Sequence, residues 1–243
     1  MNYPNAPIRE AVFDIRVDKL NIGDVSDLLK IKDNLIEEFP IEKKSHQITG
    51  MFQVSEDKPI ESKTHSDLTG FVFISKDGTR QIQIRVDGFT LNILKPYGNW
   101  ESHFECFIKY WEIYNAMFNP KNITRIATRF INRIEIPLPL SKFQDYILNM
   151  PPIPSCLPQE YANFFMQIHV PCSDGIRSAI ITETIEPIQA NLLPFILDIN
   201  VSQNLNLDKT KENLTRNFQE IRVIKNQIFE SCITENTRNL FSL

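Results

Sequence analysis

The predicted secondary-structure elements of this 243-residue chain follow one order twice. A strand leads to a helix, then to a run of strands, and then to a long amphipathic helix, first from Pro7 and again from Ile123. Consecutive strands joined by tight turns must be antiparallel, which leaves one face of their sheet for the helices. The sequence therefore predicts an α+β fold with two similar halves, 1–121 and 122–243, within a single compact unit of 1–243.

The first half begins with a strand over 11–17, where apolar and polar residues alternate. Asp24 is a suitable N-cap for a helix that Pro40 ends. A further strand is predicted over 48–54, and the polar stretch 55–69 is predicted to be a mobile loop. The half closes with strands at 71–75, 81–86 and 89–93 and a long helix at 100–118.

The second half repeats this order with longer connections. Its predicted elements are a strand at 123–136, a short helix at 141–148, strands at 161–170, 176–185 and 195–201, a helix from the cap Asp208 to Cys232, and a short helix capped by Thr234. The order is similar to the helix-grip or TATA-binding-protein type of curved antiparallel sheet packed on long helices. The pattern leaves open whether the two halves share one continuous sheet.

Composition and charge limit the classes of partner that the chain is expected to bind. The net charge is −4 with no basic tail, so the electrostatic footprint of a nucleic-acid binder is missing. No apolar run approaches the roughly 18 residues of a membrane span. The N-terminus lacks a signal-peptide pattern, and the four cysteines form no CxxC pair, which favours free thiols and a cytoplasmic location.

No sequence motif predicts a cofactor, a metal or a catalytic residue. The four histidines are isolated from one another and from the cysteines, and the seven glycines form no phosphate-cradling pattern. No serine lies in a GxSxG elbow. The candidate residues are therefore polar side chains in unusual positions within the predicted elements.

Three arginines, Arg125, Arg129 and Arg133, fall on one face of the strand 123–136. At four-residue spacing they stand about 13 Å apart, too far for all three to hold one phosphate. They could form a line of guanidinium groups that meets an anionic ligand or an acidic partner. Alternatively, each pairs with a carboxylate on a neighbouring strand, which is the favoured interpretation because the chain as a whole is negative.

Asn132 lies in register with Phe130 and Ile134 on the face of this strand that is predicted to be buried. A buried amide must find hydrogen-bond partners. It either bonds the backbone at a bulge, the favoured interpretation, or lines a pocket.

Asp198 lies in an apolar strand and needs a cation or hydrogen-bond donors there. An ion pair with an arginine of the long strand is the favoured account. The alternative is a catalytic acid with a raised pKa. A metal-assisted hydrolase or nuclease would use Asp198 together with Glu10 or Asp14.

Tyr97 and Trp100 flank the start of the long helix in the first half. Aromatic residues there either stack on a ligand or partner, or fasten the helix start to the sheet. The second role is the more common one.

Four segments resemble a sporadically distributed family of prokaryotic proteins of about this length. They are Asn5–Phe13, the pair Tyr97 and Trp100, the segment Arg129–Ile134 followed by Pro137, and Phe229–Thr234. The resemblance spans the whole chain, and the Arg-Phe-Ile-Asn-Arg sequence is its most specific part. The family brings no activity, but its sporadic distribution implies a role in defence or in a module of the toxin–antitoxin kind.

With a sound core and no catalytic constellation, the sequence favours a non-enzymatic binding or regulatory protein. It would recognise another protein or a second copy of itself through the sheet or the helices. The alternative is a small anionic or nucleotide-like ligand held between the sheet and a helix by Arg85, Arg129 or Arg133.

Overall fold

The chain forms one antiparallel sheet of nine strands with helices on one of its faces. The computed structural model describes residues 3–55, 58–207 and 209–242, with side chains except for those of 48–55, 58–65 and 205–207. The strands are β1 (Ile8–Val17), β2 (Ile41–Ser55), β3 (Lys58–Ile74), β4 (Arg80–Arg85), β5 (Gly88–Leu94), β6 (Ile123–Pro137), β7 (Phe165–Pro171), β8 (Arg177–Ile185) and β9 (Leu192–Leu207).

Two long helices and two short ones accompany the sheet. They are α1 (Lys32–Leu35), α2 (Trp100–Phe118), α3 (Lys211–Cys232) and α4 (Glu235–Leu240), and short 3-10 helices span Val25–Ile31 and Phe143–Asp145. Among the described residues, no helix combines the length and the apolar character needed to cross a membrane.

The strands are ordered β2-β3-β4-β5-β1-β6-β9-β8-β7, and all neighbours run antiparallel. The antiparallel pairing of β1 with β6 joins the two parts of the chain into one sheet. On either side of this central pair, β1 pairs with β5 and β6 pairs with β9. The prediction of an α+β fold with a large antiparallel sheet is confirmed.

The apolar face of the sheet lies under α2 and α3. Because successive side chains of a strand point to opposite faces, the apolar residues of each strand collect on this face. At its centre the Phe13 ring of β1 lies 5.4 Å from that of Phe107 on α2 and 6.4 Å from that of Phe218 on α3. Phe107 and Phe218 themselves pack edge to face at 5.2 Å. These rings make the two long helices and the central strand one core.

Several predicted boundaries were wrong. The stretch 55–69 was expected to be a loop, but most of it belongs to β3, which pairs with β2 along a long hairpin. The residues after Asp24 form a 3-10 helix before α1, because the buried Leu28 and Ile31, three apart, line up on one side of such a helix. The helix expected at 141–148 is only a short 3-10 turn.

Other predicted ends shift by a few residues. Strand β7 begins at Phe165 rather than at 161, and β9 extends beyond 195–201 in both directions. Helix α3 begins after Thr210, and Asp208, the predicted cap, lies outside the described residues. Asp24 and Thr234 cap their helices as predicted, each accepting a hydrogen bond from a backbone amide.

Candidate functional site

A cavity of about 340 Å³ lies between the apolar face of the sheet and the second half of α3. The segment that leads into β1, the turn before α2 and the middle of β6 complete its wall. The side chains that bear on its chemistry are Tyr97, Trp100, Phe130, Asn132, Arg222 and Lys225.

The turn before α2 brings two aromatic residues to this cavity. The Asn99 side chain accepts a hydrogen bond from a first-turn amide (2.8 Å), which fixes the start of the helix. Trp100, the first helical residue, is buried with its ring 4.9 Å from that of Phe13. Tyr97 meets Phe130 edge to face at 5.7 Å. Trp100 thus fastens α2 to the sheet, and both Tyr97 and Trp100 also line the cavity.

Asn132 lies on β6 where the pairing with β1 shifts its register at a bulge. Its side-chain nitrogen Nδ2 donates to the carbonyl oxygens of Leu197 (2.9 Å) and Phe130 (3.3 Å). The side chain is 3% exposed and lines the cavity. Its amide nitrogen is therefore committed to the backbone, while no described residue donates a hydrogen bond to its Oδ1. The structure thus contains both features that were offered as alternatives for Asn132. Its side chain bonds the backbone at a bulge, and it also lines a pocket.

Lys225 of α3 is the most unusual group of the cavity. The side chain is partly buried, and its Nζ lies 4.0 Å from the centroid of the Phe130 ring. No described residue forms an ion pair or a hydrogen bond with this nitrogen. Loss of solvation and the nearby charge of Arg222 lower the pKa of Lys225 to about 7, while the carboxylate of Glu230 acts weakly in the opposite direction.

The charges around Lys225 are held by other partners. The guanidinium of Arg222, one helical turn away, stacks 5.0 Å over Trp100 and pairs with Glu101 at 2.8 Å. Glu230 accepts a hydrogen bond from Tyr3 (2.8 Å) and pairs with Arg238 (2.9 Å). The Glu230 carboxylate is therefore not a direct counter-ion of Lys225.

The arginines singled out in the sequence lie on the opposite, helix-free face of the sheet. Asp14 pairs with Arg85 (2.9 Å) and with Arg125 (3.1 Å). Arg129 pairs with Asp198 (2.6 Å) on the neighbouring strand. A ligand held between sheet and helix by Arg85 or Arg129 is therefore ruled out, because alternation places these side chains away from the helices.

Arg133 shares this face and its pattern of pairing. It contacts Glu135 on its own strand and Glu186 at 2.9 Å. Its side chain also points away from the helices, so Arg133 cannot hold a ligand between the sheet and a helix either. The interpretation that each arginine of β6 pairs with a carboxylate on a neighbouring strand therefore describes Arg125 and Arg129, whereas Arg133 pairs within its own strand and with Glu186 after β8.

Asp198 lies on the same helix-free face of the sheet, where it is buried with 8% exposure and forms the ion pair with an arginine of the long strand that was the favoured account. Both of its carboxylate oxygens accept from Nε of Arg129, at 2.9 and 3.0 Å. Its proposed catalytic companions are also engaged, because Glu10 accepts from Asn92 and Asp14 binds arginines. Within the described parts of the chain, no group of three or more His, Cys, Asp or Glu side chains is arranged to hold a metal ion.

Sequence reasoning missed Lys225 and Arg222, although one signal was present. The apolar stripe of α3 runs through Leu214, Phe218, Ile221 and Phe229, at successive intervals of four, three and eight residues. Lys225 divides the longest interval into two steps of four, so a cation occupies a position in the apolar stripe. A charged residue at such a position must either reach water or serve a site.

A scan against protein-family models found no match, and a search of the curated proteins found none either. The function must therefore be argued from the cavity itself.

Proposed function

We propose that the protein binds a small anionic ligand in the cavity beside Lys225. The observation that carries this proposal is the Lys225 side chain, a potential cation in the cavity wall that forms no ion pair with any described residue. An ammonium group removed from water is costly unless it meets an anion or hydrogen-bond acceptors. A bound carboxylate or phosphate would supply both.

The surroundings of Lys225 favour this ligand class over a nucleotide base. The cations Arg222 and Lys225 lie on the faces of Trp100 and Phe130, so these ring faces hold charges rather than offering a stacking surface. The cavity volume, about 340 Å³, is near the lower end of the range for small-molecule sites. A compact carboxylate or phosphate compound fits these features best.

The test is a thermal-shift titration of the purified protein with lactate, succinate and inorganic phosphate at several pH values. We expect a saturable rise in Tm, because a ligand that binds the folded state stabilises it by mass action. An anion raises the pKa of Lys225 back toward its ordinary value of 10.5, so binding takes up a proton. Affinity should therefore fall as the pH rises above about 7, by up to about tenfold per pH unit.

The matched variants are Lys225→Met and Lys76→Met, the second at an exposed hairpin turn. Lys225→Met should abolish the response to anions and raise the Tm of the unliganded protein at neutral pH, since methionine buries no charge. Lys76→Met should respond as the wild type does. If no anion stabilises the wild type, or if Lys225→Met keeps the full response, the proposal is wrong.

Recognition of a partner protein is a second candidate, supported by one end of the sheet. Strand β7 is the last strand there, and its Phe165, Ile168 and Val170 side chains are 70%, 41% and 43% exposed. An edge strand with apolar side chains offers main-chain groups and apolar contacts to an added strand. Light scattering over a concentration series, alone and with co-expressed neighbouring gene products, tests it. If the measured molecular mass remains that of the monomer under all these conditions, and an Ile168→Lys variant gives the same result, recognition of a partner through β7 is wrong.

Three finer predictions from the sequence remain proposals. The halves 1–121 and 122–243 are proposed to be related copies of the helix-grip or TATA-binding-protein type, an idea supported by the matching pairs β1–β5 and β6–β9. A cytoplasmic location and a role in prokaryotic defence rest on the sequence alone.

A further inference from the structure

The amine of Lys225 differs from the other described lysines in what surrounds it. Lys109 pairs with Glu38 at 2.6 Å, a contact that raises the pKa of its amine, and Lys32 pairs with Glu42 at 2.9 Å. Lys225 instead lies over the Phe130 ring, beside the guanidinium of Arg222. Desolvation and a neighbouring cation are the two conditions that make a lysine a neutral, nucleophilic amine near neutral pH.

We propose that Lys225 forms an imine with the carbonyl group of a small oxo acid bound in this cavity. The inference rests on the proposed anion site and names its ligand class. Arg222 and Lys225 are three residues apart on α3 and so project from the same face of the helix. A carboxylate directed to Arg222 would therefore bring an adjacent carbonyl carbon to Lys225.

The condensation needs no oxidant or reductant. The nitrogen lone pair of Lys225 attacks the carbonyl carbon, a C–N bond forms, and the carbonyl π electrons move to oxygen, which takes up a proton. Loss of that oxygen as water, with transfer of the remaining protons, leaves a C=N bond between ligand and lysine. The net change is one ketone and one amine converted into one imine and one water.

Two uncharged polar side chains of the cavity wall suit the intermediates. Burial raises the pKa of Tyr97, so its hydroxyl stays protonated and can donate to the carbinolamine oxygen. The Oδ1 of Asn132 is an acceptor for the N–H of a protonated imine, because Nδ2 is already bound to the backbone. The ligand carboxylate balances the positive charge of this protonated imine.

The pH dependence of imine formation is opposite to that of simple anion binding. The charged and titratable groups near the amine are Arg222 and Glu230 on α3, Glu101 at the start of α2, and the hydroxyls of Tyr3 and Tyr97. Burial raises the pKa of Tyr3 to about 12 and also raises the pKa of Tyr97, and the two carboxylates are ion-paired. Lys225 is therefore the group whose loss of a proton frees the attacking amine, and the bound carboxylate moves that loss above pH about 7, so trapping at saturating pyruvate should accelerate as the pH rises above about 7.

The experiment uses the intact protein with pyruvate and sodium cyanoborohydride, followed by peptide mass spectrometry. We expect the reduced pyruvyl adduct on Lys225 at least tenfold in excess over the exposed Lys76, and, at saturating pyruvate, a rate that increases with pH. Lactate, which has the carboxylate but no ketone, should compete with trapping without forming an adduct. Lys225→Arg should keep stabilisation by lactate and lose the adduct.

The outcomes separate the two proposals. Stabilisation by lactate, with neither pyruvate, glyoxylate nor 2-oxoglutarate trapped preferentially on Lys225, would overturn the imine and leave the anion site standing. Adducts spread over the exposed lysines with no preference for Lys225 would overturn it equally. If neither lactate nor any oxo acid stabilises or labels the protein, the anion site itself is wrong.

Discussion

At the scale of single residues, the buried Glu183 makes the stability of the folded protein sensitive to pH. It lies on β8 toward the apolar face, and neither of its carboxylate oxygens has a hydrogen-bond partner among the described residues. Burial raises the pKa of Glu183 from 4.5 to about 7. The nearby Cys232 thiol is also shielded, and burial raises its pKa to about 11. Glu183 is therefore held as an uncharged carboxylic acid in the folded protein below about pH 7.

This burial makes stability depend on pH in a defined window. Between about 4.5 and about 7 the unfolded chain has released the Glu183 proton and the folded protein retains it, so the free energy of unfolding falls as the pH rises. We expect a contribution of about 1.4 kcal/mol per pH unit within that window. Glu183→Gln should remove this slope and be more stable than the wild type at pH about 8. Urea unfolding at a series of pH values measures it.

The exposed Glu105 of α2 provides the control for this prediction. Glu105→Gln should leave both the slope and the midpoint of unfolding unchanged within about 0.5 kcal/mol. If Glu183→Gln retains the wild-type pH profile, Glu183 is not the group responsible.

At the scale of elements, the pairing of β5 with β1 depends on a close approach at Gly88. A Cβ added at Gly88 would collide with the carbonyl oxygen of Ile15 on β1. Gly78, in the turn between β3 and β4, has φ +73° and open space around it. The first glycine is required by strand packing and the second by backbone conformation.

These two glycines should respond differently to substitution. Gly88→Ala is expected to lower the free energy of unfolding by about 1 to 3 kcal/mol, because two strands must separate to admit the methyl group. Gly78→Asn should cost less than about 1 kcal/mol, since asparagine tolerates positive φ. Denaturant unfolding of both variants, analysed with a common m-value, measures the two losses of unfolding free energy. Equal losses would show that β1 and β5 can separate without a penalty.

At the scale of the whole molecule, the core does not divide between the two halves of the chain. Phe13 and Phe107 come from the first half, and Phe218, 5.2 Å from Phe107, comes from the second. The hydrogen-bonded pair β1–β6 crosses the same boundary. The sheet and both long helices should therefore unfold together.

Calorimetry of the wild type should accordingly show one transition. Phe218→Ala should lower stability by about 3 to 5 kcal/mol and accelerate amide exchange in β4 as well as in β8, although Phe218 lies in the second half. Phe165→Ala, on the exposed edge strand, should change neither property. Two calorimetric transitions, or an effect of Phe218→Ala confined to β8, would contradict this coupling.

The sequence by itself determined the elements whose signals are local. Alternation along 11–17 and 123–136 defined β1 and β6 and their two faces, because a strand has a fixed side-chain period of two. Asp24 and Thr234 marked helix starts, since a cap acts within a few residues. Strands were predicted at 48–54 and 71–75, within β2 and β3, but the full length of their hairpin was missed because the polar residues of 55–69 lack that period.

Only the tertiary structure decided where the candidate site lies. Lys225 and Asn132 are far apart in the sequence, and neither belongs to a motif, but the crossing of α3 over β6 brings both to one cavity. The arginines of β6, the strongest pattern in the sequence, turned out to be matched by carboxylates on other strands, such as Asp14 and Asp198. A local pattern fixes which face a side chain takes, whereas its partners depend on strand order, which is a property of the whole fold.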